Sequence, residues 1–132
     1  MRTLIVEDDF ISRLVLQKML SQYGHCDIAV NGREAVTAFI FSLDREEYYD
    51  LICLDIMMPE MDGLDALKII RKKEKEKQIP PQKEAKIIMT TALDTPRDVM
   101  EAFYEGGCSS YIVKPIERKK LLDIIKGFRL IE

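Results

Sequence analysis

One histidine, three cysteines and no apolar run long enough to cross a bilayer mark what this chain does without. Cys26, Cys53 and Cys108 are odd in number, widely spaced and free of any C-x-x-C pair. Neither a disulfide framework nor a zinc site is signalled, so they read as reduced thiols. Cys53, among apolar neighbours, is expected in the core. His25 has no ligand or triad partner at a recognisable spacing and is expected in a solvent-facing loop after Gly24. Basic excess is missing too. Lys and Arg total 20 against 23 Asp and Glu, a net charge of −3, which removes any overall attraction for phosphate backbones or anionic lipid. Met1-Arg2-Thr3 leads into strand-like residues without a signal-peptide pattern, so a cytoplasmic protein is expected, with no membrane and no direct nucleic-acid partner. A chain of 132 residues fits one domain, burying about two-thirds of its unfolded surface around a single core.

What is present is an alternation of apolar runs and amphipathic stretches. Leu4-Ile5-Val6 reads as a first strand, after which Ile11, Leu14, Val15 and Met19 recur at helical spacing. A second strand ends at Ala29-Val30, and Asn31 with Glu34 forms an Asn variant of the capping box, opening a helix through Phe39. The charged stretch Asp44 to Asp50 reads as a loop. Leu51 to Asp55 is the third strand and Gly63 to Lys73 a helix, followed by the alternating charges of Arg71 to Lys77, expected as a solvated helix end before Pro80-Pro81. Ile87-Ile88-Met89 runs to Thr90-Thr91-Ala92. Thr95-Pro96-Arg97-Asp98 then supplies an N-cap, a proline at the first helical position and a first-turn acid, and Gly106-Gly107 a stop. Tyr111-Ile112-Val113 reaches Lys114-Pro115, and Leu121, Ile124, Ile125 and Phe128 mark a last helix. Five such βα units predict an α/β fold, a (βα)5 doubly wound five-stranded parallel sheet of flavodoxin-like topology, with all strand ends on one edge.

Continuous apolar strands imply a sheet covered on both faces, and ligands bind beyond the C-terminal ends of such strands. That edge collects Glu7 and Asp8, then Asp55, Thr91 and Lys114. Three carboxylates suit Mg²⁺, which prefers oxygen ligands and keeps several waters. A lysine supplies a point charge and a threonine a hydroxyl donor. Phosphoryl transfer asks for positioning and charge neutralisation more than covalent chemistry, and a carboxylate can be the nucleophile, giving an aspartyl phosphate.

These residues together resemble the receiver domain of bacterial two-component response regulators, of the single-domain, chemotaxis-regulator kind. The match rests on Glu7-Asp8, on Asp55 with Pro59, Asp62 and Gly63 behind it, on Thr91-Ala92 and on Lys114-Pro115, and it covers essentially the whole chain. The resemblance implies one receiver domain over residues 1–132 with no effector domain. It implies that Asp55 is the phosphoacceptor, Asp8 a direct Mg²⁺ ligand, Glu7 a ligand mainly through water, and the Met57 backbone carbonyl a further ligand. Thr91 and Lys114 would contact the phosphoryl oxygens, and Tyr111 would be the aromatic switch partner of Thr91. The family's Lys-Pro peptide is usually cis. Asp9 is expected to fall where the first helix begins. Partners implied are a sensor histidine kinase or phosphotransfer protein, and a downstream target or second copy bound through the fourth helix, fifth strand and fifth helix. Met57 and Leu93, apolar at the positions best placed to orient a hydrolytic water, imply a long-lived phosphorylated state.

Rival readings have recognisable requirements. An aspartyl-phosphate phosphohydrolase needs a second acid two residues after the nucleophile, where this chain has Met57. A phosphorylated-cofactor module needs a Gly- or Ser/Thr-rich loop after the first strand, where three acids stand. A degenerate receiver used only for protein contacts would not require Asp55, Thr91 and Lys114 together.

Overall fold

Apolar runs of three or four residues form the central strands, because a strand buried on both faces needs no polar alternation. The computed structural model describes residues 1–92, 97 and 100–132. Strands β1 (Thr3–Val6), β2 (Cys26–Ala29), β3 (Leu51–Asp55), β4 (Lys86–Thr91) and β5 (Ser110–Val113) form one sheet in the order β2-β1-β3-β4-β5. All four pairings are parallel, with Thr3 opposite both Cys26 and Leu51, and Asp55 opposite Thr90. Strand order changes direction between β1 and β3, which makes the crevice above those two ends the topological switch point.

Helices α1 (Phe10–Leu20), α2 (Gly32–Asp44), α3 (Gly63–Glu76), α4 (Glu101–Gly106) and α5 (Arg118–Gly127) cover the sheet, α4 being wound as a π-helix. Side chains alternate across each strand. Leu4, Val6, Ile52, Leu54, Ile87 and Met89 therefore meet α2, α3 and α4 through Phe39, Leu67, Ile70 and Ala102. Ile5, Cys53, Ile88 and Ile112 meet α1 and α5 through Leu16, Leu20, Leu121 and Ile125. The three cysteines are free thiols and Cys53 is fully buried, as expected. His25 is exposed, its Nε2 lying 2.6 Å from Asp27 Oδ1.

Several sequence expectations are corrected. The stripe that announced α1 is mostly not its buried face: Leu16 and Leu20 point to the sheet with Met19 of the stripe packed beside them, while Ile11, Leu14 and Val15 are 63, 36 and 40 % exposed, as is Phe10 at 61 %. Helical periodicity identified the element, but two apolar faces left its orientation open. Helix α2 runs past Phe39 to Asp44, and its end is hidden in sequence because it stops without glycine. Glu46 takes the left-handed conformation (φ 54°) and Glu47 N–H donates to Ser42 C=O at 3.0 Å, the αL cap of a Schellman turn. Gln78 (φ 54°) and Arg129 (φ 63°) end α3 and α5 in the same way. The charged run Arg71 to Lys77 is only partly solvated, since Glu74 is buried in an ion pair with Arg71. The cap expected at Thr95, Pro96 and Asp98, and Leu93, lie outside the described residues.

Candidate functional site

Three consecutive acids leave β1 in three directions. Glu7 continues the sheet, its N–H donating to Ala29 C=O at 3.1 Å, and its side chain is buried. Asp8 stands exposed at the rim. Asp9 is the N-cap of α1, its carboxylate accepting the Ser12 N–H at 2.8 Å, one residue before the first turn in which an acid was expected. That hydrogen bond holds the Asp9 carboxyl below the usual range. The cap is written in the Asp-x-x-Ser spacing and separates Asp9 from the cluster. Arg13, which sequence reading passed over, donates through Nη1 to the carbonyls of Glu7 (3.1 Å) and Asp8 (3.5 Å), fixing the backbone that carries both acids.

Asp55, at the end of β3, completes the group: carboxylate oxygens of Glu7, Asp8 and Asp55 lie within 4.8 Å of one another. Lys114 reaches in from beyond β5, pairing with Glu7 and lying 3.3 Å from Asp55 Oδ2. The Lys114–Pro115 peptide is cis, as the resemblance implies. Burial is the main cause that raises the Glu7 carboxyl above its ordinary value, aided by the hydrogen bond shared with Asp55 and opposed by Lys114. For Lys114 burial acts downward but is outweighed by Glu7 and Asp55, and its pKa is raised. Three carboxylates face one ammonium. Hard oxygen donors with this uncompensated negative charge fit a hydrated divalent cation such as Mg²⁺.

The loop after Asp55 is held close. Ile56 N–H donates to Thr90 C=O at 3.0 Å, Gly63 N–H to Ile56 C=O at 2.8 Å, and Met57 N–H to Asp55 Oδ1 at 3.3 Å. A Cβ at Gly63 would stand 2.0 Å from the Asp55 carbonyl oxygen, so only glycine lets α3 begin there. Met57 turns its side chain out, 70 % exposed.

Thr91 is buried at the end of β4, and its carbonyl accepts the Lys114 N–H at 2.7 Å. By strand alternation Glu7, Asp55 and Lys114 share the α1/α5 side with Ile5, Cys53 and Ile112, whereas Thr91 shares the α4 side with Met89. Tyr111 is on that second side, outside the acid cluster, half-buried against the edge of Phe103 with ring centres 6.0 Å apart. Beside Lys114, a cavity of 230 Å³ is lined by Ile11, Ser12, Val15, Pro115 and Ile116. A larger cleft of 410 Å³ around Arg71 and Lys86 opens near the start of β4, at the far end of the strands from the acids.

Known proteins resemble this chain in sequence and in fold. The family model described as the response regulator receiver domain matches residues 3–126. The chain is similar to the chemotaxis protein CheY of Thermotoga maritima, 35% identical over 126 residues that cover 94% of this chain and 93% of that protein. Other curated relatives are far longer, the chain spanning 7% and 16% of the length of two of them. Among solved structures, a CheX–CheY complex from Borrelia burgdorferi with BeF3 and Mg²⁺ aligns with TM-score 0.79 and 29% identity, covering 99% of this chain and 90% of that one. A co-crystal structure of the Saccharomyces cerevisiae histidine phosphotransfer protein Ypd1 with the receiver domain of its downstream response regulator Ssk1 aligns with TM-score 0.79 and 29% identity, over 96% and 87% of the two chains. With the β2-β1-β3-β4-β5 sheet, the acids at its switch point and a family match over nearly every residue, the chain belongs to the response regulator receiver domains of two-component signalling.

Proposed function

We propose that this receiver domain is a phosphorylation-activated switch, taking a phosphoryl group from a phosphohistidine onto Asp55. One observation carries the reading: the Asp55 carboxylate stands beside both the acids that follow β1 and the ammonium of Lys114 at the sheet's switch point. In the transfer the P–N bond of the donor breaks and a bond forms between phosphorus and a carboxylate oxygen of Asp55. Glu7, Asp8, Asp55 and the Met57 carbonyl would hold Mg²⁺, which when bound neutralises charge on the transferring oxygens. Lys114 exchanges part of its pairing with Glu7 for a phosphoryl oxygen, and Thr91 donates its hydroxyl to another. Movement of Thr91 gives Tyr111 room to rotate inward, reshaping the α4-β5-α5 face for a partner or a second copy. The protein is a regulatory phosphoacceptor that supports its own phosphorylation and slow autodephosphorylation.

The donor is a sensor histidine kinase or a histidine phosphotransfer protein. Supporting this, the exposed apolar face of α1 adjoins the cavity beside Lys114, so a partner covering Ile11 and Val15 is brought next to the acid site. Incubation with acetyl phosphate and Mg²⁺ is expected to add one phosphoryl group by intact-mass measurement, and Asp55→Asn to add none. Equal labelling of Asp55→Asn overturns the assignment.

A further inference from the structure

The acid site has a support that sequence motifs did not single out, at the start of α2. The first N–H groups of a helix lack intrahelical partners. Here Asn31 Oδ1 accepts the Glu34 N–H at 2.8 Å, and Glu34 Oε1 accepts the Val30 N–H at 2.9 Å, while the Gly32 N–H is directed out of the helix. It donates to the Met61 carbonyl at 3.1 Å. Met61 closes the loop that runs from Asp55 past Met57 to α3. A Cβ on residue 32 would stand 2.4 Å from that same oxygen and 2.9 Å from Met61 Cγ, well inside the ~3.5 Å of an ordinary contact. Backbone meets backbone here, so relief cannot come from a side-chain rotation.

The loop between Met57 and Met61 is poorly able to absorb a push. Pro59 has its φ set by its ring, and Glu60 sits in the left-handed region at φ 67°. Met61 N–H donates to Pro59 C=O at 2.9 Å, closing the turn on itself, and Met57 at its other end is hydrogen-bonded to the Asp55 carboxylate. Asp62, next in sequence, is fixed as the N-cap of α3 through the Asp65 N–H at 2.9 Å. A displaced Met61 carbonyl therefore moves the turn as a body, with Met57 at its far end.

We infer that Gly32 is a positioning residue for the metal and phosphoryl site: the bare backbone of the α2 N-terminus seats the Met61 carbonyl, and the closed turn passes that position to Met57. The inference rests on the receiver reading, in which the Met57 carbonyl is a Mg²⁺ ligand. Groups that orient metal ligands commonly govern affinity without touching the ion.

The test uses the full chain, with Mg²⁺ affinity by titration calorimetry and thermal melting in the absence of Mg²⁺. Gly32→Ala is expected to weaken Mg²⁺ binding roughly tenfold, and acetyl phosphate labelling to recover as Mg²⁺ is raised to saturation. Gly127→Ala is the control, because a Cβ there meets nothing within 4 Å; it is expected to leave Mg²⁺ affinity unchanged. Glu60→Gly frees the turn and is expected to restore part of the affinity lost in Gly32→Ala, whereas simply additive losses overturn transmission through the turn. A folded Gly32→Ala that melts lower yet binds Mg²⁺ as the parent does would overturn the inference, leaving Gly32 a packing residue. Should Gly32→Ala not fold, Asn31→Ala loosens the same helix start more gently, and unchanged Mg²⁺ affinity in that variant overturns it equally. A parent protein that neither binds Mg²⁺ nor accepts a phosphoryl group on Asp55 would instead overturn the receiver reading itself.

Discussion

Glu7, Asp8 and Asp9 carry the same chemistry and have three different fates: Glu7 is buried and Asp8 exposed in one cluster with Asp55, and Asp9 is taken up by a helix cap. The residues alone left that division open, and it was the family resemblance that set Glu7 and Asp8 apart from Asp9, which was expected in the first turn and stands one residue earlier as the cap. Tyr49 was not legible, since it lies in a charged stretch read as a loop, yet it is buried and its hydroxyl donates to Asp27 Oδ2 at 2.6 Å, a partner 22 residues away. Burial alone would raise the Asp27 carboxyl, but the hydrogen bonds from Tyr49 and His25 outweigh it and its pKa is lowered. Burial and the same Asp27 contact push the Tyr49 hydroxyl above its ordinary value of 10.0. The Asp27 contribution is thus complete above its unfolded-state pKa and lost as pH falls through the depressed value. The Tyr49 contribution is complete below pH 10.0 and lost as pH rises toward the raised one. Tyr49→Phe is expected to cost about 1 kcal/mol at neutral pH, allowing for the partial exposure of Asp27. In urea melts the difference from the parent should shrink below about pH 4 and again at strongly alkaline pH. A difference independent of pH would place the source elsewhere, in packing of the ring.

At the scale of elements, α3 shows why a charged run cannot be read from sequence alone. Its alternating signs describe a solvated helix, and for Lys73 and Glu76, an exposed pair at 3.4 Å, that is correct. Arg71 and Glu74 instead turn inward. Glu74 Oε1 accepts from Arg71 at 2.6 Å and Oε2 accepts the Ala85 N–H at 2.8 Å. Arg71 also donates to the carbonyls of Ala85 and Gly107, each at 2.9 Å, so that one ion pair joins the end of α3, the entry to β4 and the turn between α4 and β5. Those partners lie 11 to 36 residues from the pair, beyond the reach of any local pattern. Because removal of Glu74 strands a mostly buried guanidinium, Glu74→Ala is expected to destabilise by about 3–5 kcal/mol in chemical denaturation, against about 0.5 kcal/mol or less for Glu76→Ala. Equal small effects would show that the buried pair is no more than a surface one. The end of α3 was legible from Pro80-Pro81 beyond it, but the left-handed turns that close α2, α3 and α5 were illegible for a different reason. Each turns through a left-handed residue that is not glycine, whereas the sequence signal for such a turn is glycine itself.

For the whole molecule, strand number, parallel pairing and the edge that collects the acids were legible, because buried apolar runs and right-handed crossovers leave few arrangements. What the sequence left open was which helix faces are free, and α1 is the case that matters for partners. If its exposed apolar face receives the phosphohistidine protein, Ile11→Asp is expected to slow transfer from that protein by at least about tenfold, roughly 1.4 kcal/mol. Labelling by acetyl phosphate, which needs no such contact, should stay within about twofold of the parent, a difference of under 1 kcal/mol. Equal loss with both donors would mean that the substitution damages the acid site. The sheet gives this separation a wider meaning. Glu7, Asp55 and Lys114 belong to its α1/α5 side, and Tyr111 and Phe103 to the side of α4, so the proposed chemistry and its proposed readout are walled apart by a single layer of strands, with Thr91 at the strand edge as the link between them. A lineage carrying such a wall can exchange its donor by editing one surface and its listener by editing the other, and neither revision has to rewrite the message that passes between them.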